Sequence, residues 1–97
     1  MIKPHDKEML CGCIAMFKRF PTIYASCTTK EQLVMFNTLL SNTVGKFLSI
    51  TRKYRYSTFI FDRYTVVDNA YNVLHAFSNF NLTEYNACVY ILERKVT

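Results

Sequence analysis

Apolar residues recur along this chain at spacings of three and four, in runs long enough for helices. Between Asp6 and Arg19, Met9, Leu10, Cys13, Ile14 and Phe17 share one helical face, with Lys7, Glu8, Ala15, Lys18 and Arg19 opposite. Pro4 suits the first turn of that helix. Pro21 is expected to end it, because the residue before a proline avoids helical backbone angles, with "PTIYASC" a candidate for one further turn.

A second helix is announced by Thr28 and Glu31, spaced as a capping box in which the hydroxyl takes a backbone donor and the carboxylate reaches back. Leu33, Phe36, Leu40, Val44, Phe47 and Leu48 then draw one stripe, with Gln32, Asn42, Lys46 and Ser49 away from it. Gly45 costs about 1 kcal/mol relative to Ala in mid-helix, which suggests a kink or a close helix contact there. A third helix is expected from about Phe59 to Ser78, with Ile60, Tyr64, Val67, Ala70, Tyr71, Leu74 and Phe77 inward and Asp62, Asn69, Asn72 and Asn79 outward. Its first half is rich in β-formers, so a strand up to about Val67 competes. After "SNFN", Thr83 is expected to cap a last helix that aligns Tyr85, Cys88, Val89, Leu92 and Val96, with Arg94 and Lys95 complementing the dipole at its end.

Short connections between amphipathic helices imply antiparallel neighbours, hence an all-α fold: one domain over residues 1–97, a compact bundle of about four helices. Eight Phe and seven Tyr supply a core, and homo-oligomerisation would hide aromatic surface that so short a chain leaves over. No apolar run approaches the roughly 18–20 residues of a membrane span, and "MIKPHDKEML" lacks a signal peptide's apolar region. The expectation is a soluble, cytoplasmic protein. Four Cys there are more naturally thiols than a disulfide framework, and "NLT" at Asn81 is then a chance match to the glycosylation sequon. Two Gly, two Pro and no Trp, against abundant Asn, Tyr, Phe, Ile and Lys, match AT-rich coding of the kind common in phage and viral accessory genes.

Charge adds a functional direction. Twelve Lys and Arg against seven Asp and Glu give +5, which favours anionic partners. The cations gather in "RKYRYSTFIF", residues 52–61. As a strand neither of its faces is cleanly apolar, and it lacks the glycine and the surrounding sheet of RNA-recognition modules. Split as a helix boundary it makes better sense. Arg52, Lys53 and Arg55 close one helix, Ser57 or Thr58 caps the next, and Tyr54 and Tyr56 sit at a tip beside the cations.

Chemistry-bearing groups are sparse. In "CGC", Cys11 and Cys13 would point about 200° apart on a helix, Cys11 to solvent and Cys13 with Cys88 to the core, so Cys11, Cys13, Cys27 and Cys88 read as structural thiols and no metal is expected. His5 and His75 have no nucleophile or acid at a motif spacing, and phosphate-binding glycine loops are lacking, so neither an enzyme nor a cofactor is expected. The expected function is binding by a small adaptor or inhibitor, a phage or viral accessory factor docking on an acidic surface of a host protein. Arg52, Lys53, Tyr54, Arg55, Tyr56 and Arg63 would form the site, and Lys18, Arg19 and Lys46 would extend its basic face. Nucleic-acid binding by the same patch is the alternative, and an oligomer holding a small anionic ligand is a third.

Overall fold

The structure, a computed structural model, describes residues 2–54 and 63–96. It is an all-α four-helix bundle, with α1 over Pro4–Ala25, α2 over Lys30–Lys53, α3 over Arg63–Ser78 and α4 over Leu82–Val96. Each helix packs on two neighbours, α1 on α2 and α4, and α3 on α2 and α4. The core runs through all four, from Leu10, Phe17 and Phe20 of α1 to Phe47, Val73 and Leu92, all of them fully buried. No helix among the described residues is long and apolar enough to cross a membrane.

Helix α1 does not stop at Pro21; it continues through it to Ala25. A proline has no N–H to give the carbonyl four residues back, here Phe17 O. The Tyr85 hydroxyl, from α4, donates to that carbonyl at 2.5 Å and takes the place of the missing amide. Phe20, the residue before the proline, is held helical by burial, its ring 6.1 Å from that of Phe17 and 5.5 Å edge-on to that of Phe36. Tertiary contacts therefore override the local preference against helix before proline.

The cap of α2 lies one residue beyond the expected pair. Thr29 accepts from the Gln32 amide at 3.1 Å, while Gln32 Oε1 accepts from the backbone N–H groups of Thr28 at 2.7 Å and Thr29 at 3.2 Å. Two capping boxes overlap in "TTKEQ", and the one used lets a single amide oxygen satisfy two donors. Gly45 makes no close helix contact: it is exposed, and a Cβ built on it meets nothing within 4 Å. The expected stripe of α2 is inward from Phe36 to Leu48, with Leu33 half-buried, and it is joined by Thr43, Ile50 and Thr51.

The expected start of α3 at Phe59, its cap at Ser57 or Thr58, and Ile60 and Asp62 fall outside the described residues. From Arg63 to Val67 the backbone is helical, not extended. The buried face of α3 is rotated from the expected one. Val66, Ala70, Val73, Ala76 and Phe77 are buried, Val67 and Leu74 are half-buried, and Tyr71 is 48% exposed. Small residues let α3 approach its neighbours closely, and Tyr71 is left at the edge while the Phe77 ring stays buried.

The α3–α4 turn uses Phe80 at φ 57°, with Asn81 N–H donating to Ala76 O at 2.9 Å and Phe80 N–H to Phe77 O at 3.0 Å. That is a Schellman closure with a phenylalanine where glycine is usual. Asn81 then caps α4, its Oδ1 accepting from Glu84 N at 3.1 Å, so the cap is Asn81 and not Thr83. The expected inward set of α4 (Tyr85, Cys88, Val89, Leu92 and Val96) is buried as a whole.

Candidate interaction surface

The basic end of α2 is tied into the bundle. Arg52 and Lys53 occupy the last turn of α2, where cations complement the dipole. Tyr54 follows as the C-cap, half-buried against the core. Its hydroxyl accepts from the Lys3 amide at 3.2 Å and donates to Asp6 Oδ2 in a short bond. Lys53 Nζ lies 3.7 Å from the other carboxylate oxygen. The Tyr54 hydroxyl, and after it the Lys53 ammonium, hold the Asp6 carboxyl below its ordinary value against the opposing effect of burial; Asp6 in turn pushes the Tyr54 phenol up. One tyrosine thus pins the first turn of α1 to the last turn of α2. Arg52 reaches the other way, donating to the Tyr71 hydroxyl at 3.3 Å. Arg63 opens α3. Arg55 and Tyr56 lie outside the described residues, as does any tip built on them.

The residues expected to extend this face do not share one surface. Lys18 turns towards α4 and ion-pairs with Glu93. Lys46 lies on the opposite flank, in a groove between α1 and α2. Arg19 is exposed on α1 and lines neither of these surfaces.

This groove is the more developed surface. Met9, Met16 and Ile23 of α1 face Met35, Leu39 and Lys46 of α2 across two open cavities of about 400 Å³ and 430 Å³, which meet at Leu39. All three methionines beyond Met1 line it. Met35 is 72% exposed and Leu39 41%. The Lys46 ammonium is the one charged group among the lining residues, and Asn42 precedes it by one turn, so the groove grades from apolar at Met35 to cationic at Lys46. Gly12 forms part of the α1 wall, and a Cβ added there meets nothing within 4 Å. Sequence reasoning put Met9 in the inward stripe, where it is only half-buried, and did not single out Met16, Met35 or Leu39, because which side of a helix stays open depends on how the helices pair.

The thiols do not converge. All four are free: Cys13 and Cys88 are buried, and burial raises both, while Cys11 and Cys27 are half-buried. Cys11 is thus less exposed than expected, being packed beside Ile14 and Lys18 where α4 comes close. Among the described residues no three His, Cys, Asp or Glu side chains come together as a metal ion would need. No protein-family model, curated protein or solved structure matches this chain.

Proposed function

We propose that this protein is a non-enzymatic interaction protein, an adaptor or inhibitor that works inside the cell by docking on an acidic surface of a partner protein. The observation that carries this reading is the α1–α2 groove: an open apolar surface on two long helices, lined by flexible methionines and bearing a cationic end. Thioether side chains adapt to the shape of what they meet, and exposed apolar grooves of this kind suit partner helices. Arg19 and the end of α2 at Arg52 and Lys53 add positive charge that would draw an acidic partner in. A phage or viral accessory role is consistent with this activity and with the composition.

Affinity capture on the full chain, from extracts of candidate host cells with and without nuclease, tests the reading. Captured proteins should survive nuclease and resist moderate salt, since an apolar interface is little screened. Loss of all capture after nuclease, with a steep salt dependence, would replace protein docking by nucleic-acid binding.

A further inference from the structure

We infer that the α1–α2 groove is the seat of one amphipathic helix of the partner, about four turns long, which carries a carboxylate seven residues from its central apolar anchor. The inference rests on the protein-docking reading above and specifies its ligand. The length follows from the wall. Met9 to Ile23 spans fourteen residues of α1, about 21 Å at 1.5 Å per residue, which a partner helix of similar length would match. The charge follows from Lys46, which lies seven residues beyond Leu39 on the same wall, about 10 Å along the axis. A helix anchored at Leu39 therefore brings a residue two turns away beside the ammonium, and a carboxylate there completes the pair.

Gly12 leaves room for such a helix, although an open glycine by itself marks no site, as the equally open Gly45 shows. A glycine inside a helix disfavours it by about 1 kcal/mol relative to alanine, and nothing inside this bundle needs the space it leaves. The space opens into the groove between Met9 and Met16. A helix entering there meets backbone where any other residue would present a side chain, and so can approach closely. A second copy of this chain is the poorer occupant, because a two-fold pairing of like grooves offers no carboxylate to Lys46 among the lining residues.

The test is selection, on the immobilised full chain, from a display library of sixteen-residue helical peptides. Enriched sequences should carry apolar residues at i, i+4 and i+7 and an Asp or Glu seven positions from the central anchor. Binding of the enriched peptide should fall at least about tenfold with Lys46→Glu and recover when its carboxylate is changed to lysine. Gly12→Leu should also weaken binding about tenfold or more while leaving the melting temperature unchanged or higher, since leucine favours the helix and fills the groove. Met35→Glu, at an exposed position, checks the apolar end without threatening the fold. Enrichment equal on wild type and Met35→Glu would overturn the inference. So would a concentration-dependent dimer that Met35→Glu splits, or peptides whose binding ignores both Gly12→Leu and Lys46→Glu. Nuclease-resistant capture that ignores the groove variants would leave protein docking standing and this site wrong. Loss of capture to nuclease would instead strike the parent reading.

Discussion

The bond from Tyr85 to Phe17 O should be energetically coupled to Pro21, although the tyrosine and the proline lie on different helices. Both groups act on one carbonyl. Pro21 withholds the amide that would have served Phe17 O, and the buried Tyr85 hydroxyl supplies the replacement at 2.5 Å. Tyr85→Phe removes the donor, keeps the ring in its packing against Phe77 at 4.7 Å, and leaves the carbonyl without a partner. That should cost about 1–3 kcal/mol, the range for a buried polar group left unsatisfied. In a Pro21→Ala background the backbone N–H restored at that position takes the carbonyl, and the same tyrosine substitution should cost only the roughly 0.5–1 kcal/mol of an ordinary hydrogen bond. The coupling is therefore expected near 1 kcal/mol, within the range of contacting residues. Urea unfolding of the four proteins, followed by circular dichroism and compared through midpoints at a shared slope, measures it. Equal costs of Tyr85→Phe in the two backgrounds would refute the substitution of hydroxyl for amide.

Three further outcomes follow from the same geometry. Gly45→Ala should raise stability by up to about 1 kcal/mol, seen as a higher melting temperature, because the site is exposed and empty around the missing Cβ. Asp6 is held below its ordinary value of 3.8 in the folded state, so it contributes stability above that pH and loses it as pH falls through the folded value; melting from pH 6 to 2 should be steeper for wild type than for Asp6→Asn or Tyr54→Phe, which remove the chief cause. An aromatic disulfide reagent should label Cys11 and Cys27 well before Cys13 and Cys88, and all four alike in denaturant, since burial both shields Cys13 and Cys88 and pushes their thiols up.

Much of the fold was legible in the pattern of the chain. The inward faces of α2 and α4 follow directly from Phe36, Leu40, Val44 and Phe47, and from Tyr85, Val89 and Leu92, because large apolar residues there keep strict helical spacing. What was not legible depends on partners distant in sequence. Pro21 looks like a terminator until Tyr85 arrives from α4, and Tyr71 looks inward until alanines and valines draw α3 close. Tyr54 looks like an exposed tip until Asp6, 48 residues away, takes its hydroxyl. The candidate surface was the least legible part, since a groove belongs to two helices and its methionines fit a buried stripe equally well. Lys46 was recognisable as a cation, but only the pairing of α1 with α2 gives it an apolar neighbour.

Docking of a partner helix in the α1–α2 groove is tested most directly by methionine-methyl NMR of the full chain, titrated with the peptide enriched on it. The methyl resonances of Met9, Met16 and Met35 should all shift and saturate together, while the backbone amides of Arg52 and Lys53 stay in place. Unmoved methionine methyls, with shifts gathered at Arg52 and Lys53, would contradict the account and return recognition to the basic end of α2.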